Sequence, residues 1–168
     1  PSGAPVDFRT LPSTNMNGNC FTYVNLDQSG YHMVREGNVL NFSNLTQTDA
    51  SLIRSPVGFE GDTALVYGRQ FHLCMHMLPG RYVGRFDLAN VFGGEQLINV
   101  KVNGQTVFER PVTMYDDCFE FTFDVTDDYL CDIVIEIPNA FSPMSVIEGN
   151  TDDRILSLYL RNFTYTPE

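Results

Sequence analysis

At 168 residues with 43% hydrophobic side chains, the chain is one domain by size and long enough to bury a sizeable core. Ten basic residues against 21 acidic ones leave a net charge of −11. That balance argues against a nucleic-acid groove, which needs clustered Lys and Arg, and against adsorption to an anionic membrane. No run of about 18 apolar residues is present, so no stretch reads as a membrane-spanning helix.

In chain order, residues 1–19 are rich in Pro, Ser, Asn and Gly and read as a flexible linker into a single domain over 20–168. The start carries no charged-then-apolar leader pattern, and the linker suggests a piece of a longer protein; a free-standing chain with a loose terminus is the other reading. Strands are expected at 20–26, 38–42, 64–67, 70–78, 82–89, 97–102, 106–109, 118–125, 131–137 and 156–165. Turn signals at Ser29-Gly30, Pro79-Gly80, Gly93-Gly94, Asn103-Gly104 and Asp127-Asp128 separate them. The best helix candidate, 48–53 with Thr48 as a cap, is one or two turns long.

The clearest stretch is 80–109. Tyr82, Phe86 and Leu88 share one strand face with Gly84 between them, and Ile98, Val100 and Val102 alternate with Leu97, Asn99 and Lys101 on the next strand. Asn103-Gly104 supplies the positive φ angles of a type I′ hairpin. Phe119, Phe121, Phe123 and Val125 alternate with Glu120, Thr122 and Asp124, the inner-face pattern of two packed sheets. The expected core includes Phe86, Val100, Val102, Phe119, Phe121, Phe123, Ile133, Ile135 and Leu158. These strands, with long irregular stretches at 43–63 and 138–153, predict an all-β fold: an antiparallel two-sheet β-sandwich of jelly-roll type, in preference to a small barrel.

Four cysteines, Cys20, Cys74, Cys118 and Cys131, raise the question of disulfides. A hairpin of 118–125 with 131–137 sets Cys131 opposite about Asp124 and Cys118 opposite about Ile137, too far apart to bond. Cys131 shares a face with Ile133, Ile135 and Ile137 and reads as a buried thiol. All four are expected to be reduced, which favours a cytoplasmic location, membrane-associated through a parent protein. The alternative is extracellular, and Asn-x-Ser/Thr sequons at Asn41, Asn44 and Asn162 bear on that case alone.

The second half resembles a jelly-roll accessory domain of bacterial surface-polysaccharide proteins, often found beside glycosyltransferase domains. The resemblance rests on Gly80-Arg81-Tyr82, Asn103-Gly104, Ile133 to Ile137, Phe141-Ser142-Pro143, and Asp152-Asp153-Arg154-Ile155-Leu156 leading into the last strand. It covers about residues 64–166 and departs at Ser157, where the family usually has glycine. Asp152 and Arg154 are expected to pair and pin the long loop. The outline is also similar to carbohydrate-binding modules, which often hold a structural calcium; Asp62, Asp152, Asp153 and Glu168 are the available oxygens, without a compact acidic loop.

His72, Cys74 and His76 share one strand face, each about 6.7 Å from the next, and are suitable types for zinc or copper. Residues two apart on a flat strand rarely converge on one ion, and no fourth ligand is evident, so an outer sheet face is the plainer reading. Neither a Gly-x-Ser-x-Gly elbow nor a phosphate-binding loop is present. The acid pairs Asp116-Asp117, Asp127-Asp128 and Asp152-Asp153 read as solvated turns rather than carboxylates facing across a cleft. Sugar binding needs an aromatic platform with planar polar groups around it. With no Trp in the chain, the candidates are Tyr31, Tyr67, Arg69 and Tyr115. The resulting expectation is a non-catalytic domain of a glycan-assembly protein that binds polysaccharide or oligosaccharide or positions a catalytic domain of the same chain. It has no resident cofactor, no nucleic-acid partner and no direct membrane insertion. One rival is a structural or oligomerisation module using an exposed face with Met33, Met75, Met77 and Phe92; others are a secreted adhesin, a capsid-like domain, or an enzyme.

Overall fold

A computed structural model describes residues 31–32, 38–42 and 52–168. Among the described residues, period-two alternation becomes eleven strands: β1 (Tyr31–His32), β2 (Asn38–Asn41), β3 (Val57–Glu60), β4 (Thr63–Tyr67), β5 (Gln70–Met77), β6 (Gly80–Val91), β7 (Glu95–Val102), β8 (Gln105–Thr113), β9 (Cys118–Val125), β10 (Leu130–Glu136) and β11 (Leu156–Pro167). The front sheet runs β1-β5-β10-β7-β8, and the back sheet runs β3-β4-β11-β6-β9, with β2 also against β11. The pairings among these strands are antiparallel except that of β1 with β5. The expected jelly-roll-type sandwich is therefore the fold. Among the described residues, helical structure is limited to a 3₁₀ turn at Pro143–Ser145. The proposed helix at 48–53 lies mostly outside the described residues, and its last member, Ile53, bridges Leu73 instead. The expected strand at 20–26 also lies outside them.

All nine expected core residues are buried. Phe86 sits at the centre, wholly buried, with ring centroids 4.6 Å from Phe163, 5.4 Å from Phe119 and 5.8 Å from Phe71 across the sandwich. Gly84 has a steric reason: a Cβ there would lie 2.9 Å from the Phe121 ring, which packs over the bare backbone. At the hairpin, Asn103 and Gly104 take φ of 50° and 84°, the left-handed pair that a type I′ turn requires. The Asn103 side chain then reaches β10, donating to the Leu130 carbonyl at 3.0 Å and accepting the Asp132 N–H at 2.9 Å.

The structure corrects the path of the chain after β9. Residues 118–125 and 131–137 do not form a hairpin; β9 pairs with β6 in the back sheet, whereas β10 lies between β5 and β7 in the front sheet. The chain crosses through Thr126–Tyr129, where Tyr129 takes φ of 63° and its N–H donates to the Thr126 carbonyl. Two strands were also missed: β3, short and interrupted by Gly58, and β1. β8 runs four residues beyond the expected Glu109, because Pro111 is tolerated on the edge of a sheet.

Cys118 and Cys131 are free, as expected, but they are kept apart by lying in different sheets rather than by register. Cys131 is wholly buried, and burial pushes its thiol far up from the usual range. Cys74 overturns the expectation of four reduced cysteines: it is disulfide-bonded, with its partner outside the described residues. Alkylation under denaturing conditions without reductant should therefore label Cys118 and Cys131 but not Cys74, read by peptide mass. Label on Cys74 in that sample would contradict the bond.

Candidate functional site

Strand directions sort the connections into two ends. Tyr67 pairs with Leu156, Gln70 with Glu136, and Glu95 with Thr113, so the β4–β5, β6–β7, β8–β9 and β10–β11 connections gather at one end, the loop end. The Asn103-Gly104 hairpin and the β9–β10 crossing lie at the other.

Near the loop end, a groove of about 380 Å³ crosses the outer face of the front sheet. It is lined by Arg69, Gln70, Leu97, Asn99, Glu109, Glu136 and Pro138. Alternation places these side chains together. Leu97 and Asn99 point outward from β7 while Gln96, Ile98 and Val100 are buried, and Glu136 is the outward end of β10. Asn99 Nδ2 donates to Glu109 Oε2 at 2.7 Å, and Thr106 Oγ1 donates to Asn99 Oδ1 at 3.1 Å. Lys101 Nζ stands 3.1 Å from Glu136 Oε1. The groove thus combines two apolar side chains, Leu97 and Pro138, with planar amide, carboxylate and guanidinium groups. Several of those groups are already fixed by one another.

The structure separates the four sugar-site candidates. Arg69 lines this groove. Tyr67 lies at the same end but on the back sheet. Its ring occupies the space over Gly58, where a Cβ would fall 2.0 Å from the tyrosine oxygen. The Arg154 guanidinium lies 5.5 Å from the Tyr67 ring centroid, and its Nη1 donates to the Tyr67 hydroxyl at 3.3 Å. Arg154 also holds Asp152 through two bonds of 2.6 and 2.9 Å, the expected loop-pinning pair, and this holds the Asp152 carboxyl down at about 2. Tyr115 stands on the β8–β9 turn, 86% exposed. That turn is held by the Thr113 N–H donating to Asp116 Oδ2 at 2.8 Å and by the Met114 N–H donating to the Gly94 carbonyl at 2.9 Å. Strands β10 and β7 lie between β5 and β8, so Arg69, just before β5, and Tyr115, just after β8, belong to connections of non-adjacent strands. Tyr31 pairs with His76, which places its backbone near the opposite end.

At that opposite end a larger cleft, about 770 Å³, is lined in part by Arg81, Asn103, Gln105, Thr122, Asp124 and Asp128. Arg81 there is occupied by Glu168 at 2.7 Å and by Asp124 at 3.2 Å.

The acids considered for calcium are dispersed. Asp62 pairs with Arg161 at 3.2 Å on the β3–β4 turn, Asp152 pairs with Arg154 at the loop end, and Glu168 pairs with Arg81 at the far end. The row of His72, Cys74 and His76 is not a free outer face either. Cys74 and His76 are buried, and Asp132, on β10 directly opposite Cys74, contacts His72. Asp132 was missed because a cross-strand neighbour is not visible along the chain; the one available signal was an acid interrupting the apolar run of β10.

No family model matches the chain, and no curated protein matches it. Solved structures do resemble it. A ruminal GH26 endo-β-1,4-mannanase superposes with a TM-score of 0.49 at 11% identity, covering 82% of this chain and 27% of that one. The mannan-binding module from Man5C in bound conformation gives 0.47 at 7%, covering 77% and 97%. A family 35 carbohydrate-binding module from Clostridium thermocellum gives 0.42 at 11%, covering 69% and 87%. The chain spans about a quarter of the mannanase's length. At these identities the likeness is one of fold.

Proposed function

We propose that this domain is a non-catalytic module that binds oligosaccharide or polysaccharide in the groove on the front sheet. The observation that carries this is the composition of the groove: two apolar side chains, Leu97 and Pro138, line it together with the polar Arg69, Gln70, Asn99, Glu109 and Glu136. A sugar ring presents an apolar C–H face and a belt of hydroxyls, and planar side chains can both donate to and accept from such a belt. Lys101 offsets Glu136 at the groove's edge, which suits neutral sugars. The resemblance in the second half supports a place in a glycan-assembly protein, beside a catalytic domain of the same chain. The Cys74 disulfide supports the extracellular location over the cytoplasmic one.

A single sugar should bind with a Kd on the order of a millimolar, because ordering and desolvation offset most of the contact energy. Asn99→Ala and Glu109→Ala should each weaken binding by roughly five- to tenfold, the value of one hydrogen bond. Calorimetry on hits from a glycan array measures this, with Arg81→Ala in the larger cleft as the control. Binding lost in Arg81→Ala and kept in Asn99→Ala would move the site to the cleft.

One observation favours an interaction module instead. Met114 and Tyr115 on the β8–β9 turn and Met144, Val146 and Ile147 on the β10–β11 connection are all exposed at the loop end, and large exposed apolar side chains at one end of a domain are the material of a contact surface. The surface first expected for that role does not exist, since Met75 and Met77 are wholly buried and Phe92 packs against Phe141 at 4.8 Å; Met33 lies outside the described residues. Light scattering that shows a stable oligomer, with no glycan bound, would favour this second reading.

A further inference from the structure

The spot where β5 meets β10 brings three metal-binding side chains together. His72 and Cys74 are two apart on β5, and Asp132 pairs directly with Cys74 across the ladder. One ligand atom from each, a ring nitrogen, a sulfur and a carboxylate oxygen, lies within 4.8 Å of the other two. Zinc–ligand bonds of about 2.0–2.3 Å put neighbouring donors somewhat closer than that, a gap that side-chain rotation closes. Both strands are held in place. Ser55 Oγ accepts the His72 N–H at 2.9 Å, and Asn103 Oδ1 accepts the Asp132 N–H at 2.9 Å. β5 and β10 are interior strands of the front sheet, so the donors stand on a rigid support. The His72 and Asp132 side chains are 25% and 31% exposed, which gives an ion a way in.

The disulfide at Cys74 withholds the third donor, because a bridged sulfur has no thiolate to offer. We propose that this is a redox-gated site for zinc or a similar divalent ion. It is closed while Cys74 is bridged and opens, with His72, Cys74 and Asp132 as protein ligands, when the bridge is reduced. A dithiol reductant exchanges with the bridge, giving two protein thiols and the oxidised cyclic disulfide of the reductant. The ion then displaces the proton of the Cys74 thiol and forms the metal–sulfur bond, and one proton leaves for each ion bound. Three protein ligands leave a coordination position open to water. The same chain would thus take up the ion once a dithiol has reduced the bridge and would hold none while Cys74 stays bridged.

The test titrates the full chain with Co²⁺, a spectroscopic substitute for Zn²⁺, before and after dithiol treatment and removal of the reductant. The reduced protein should gain a thiolate-to-cobalt charge-transfer band that saturates at one equivalent and is displaced by Zn²⁺. The oxidised protein should show none. His72→Ala and Asp132→Ala should each weaken binding by about tenfold or more, since even the outer partners of metal ligands carry that much. Cys118→Ser should leave the band intact. Circular dichroism checks the fold of each variant, and His72→Gln and Asp132→Asn replace any that fail to fold. No band in the reduced protein, a band unchanged by the His72 and Asp132 variants, or equal binding before reduction would overturn the site.

Discussion

Phe86→Ala should cost about 3–5 kcal/mol of stability, towards the upper end of the range for a buried aromatic. Phe86 is wholly buried and is the ring on which the two sheets converge. It meets Phe119 and Phe121 of β9, Phe163 of β11 and, from the facing sheet, Phe71. Truncation removes the transfer energy of the ring and several aromatic contacts. It also leaves a cavity whose walls are themselves rings set by the sheet backbone, so they close on it poorly. Phe59→Ala, at a side chain half exposed on β3, should cost little by comparison. Urea unfolding of both variants checks this; a loss below about 1 kcal/mol for Phe86→Ala would mean that the sheets do not pack as described.

Stability should also fall in mild acid because of His76. Burial lowers its pKa from 6.5 to about 4, with Asp128 pulling weakly the other way. Well above pH 6.5 the imidazole is neutral in both folded and unfolded chains and contributes no pH dependence. As the pH falls, the unfolded chain takes up a proton that the folded one refuses, so stability drops until the folded imidazole also titrates near 4. The full loss across that window is about 3 kcal/mol. Carboxylates held low by their partners, such as Asp152 at about 2, lose their contribution only further into acid. Urea midpoints at pH 7.5 and 4.5 should therefore differ strongly in the wild type and much less in His76→Gln. Parallel profiles for the two proteins would show that His76 is not buried neutral.

Legibility in the sequence followed the range of each signal. Alternation in β6, β7 and β9 located strands and core faces because a strand's two faces are written in neighbouring residues. Asn103-Gly104 located a hairpin because a turn is local. Assignment of β10 to a sheet failed because Thr126–Tyr129 carries the same turn residues whether the chain folds back or crosses; only the partners of β10, far back along the chain on β5 and β7, decide it. The candidate site shows the same limit. Arg69 was legible as an exposed polar residue by a turn, but Asn99, Glu109 and Glu136 read as ordinary outward positions until three strands set them side by side. Tyr67 looked available as a platform, and its occupation by Arg154 depends on a loop returning across 87 residues.

The most direct test of the carbohydrate-binding account is amide chemical-shift mapping during titration with an oligosaccharide that scores on a glycan array. The account predicts shifts concentrated at Arg69, Gln70, Leu97, Asn99, Glu109 and Glu136, with the far cleft around Arg81, Gln105 and Asp124 unchanged. Shifts confined to that cleft, or no response to any glycan at millimolar concentration, would contradict it.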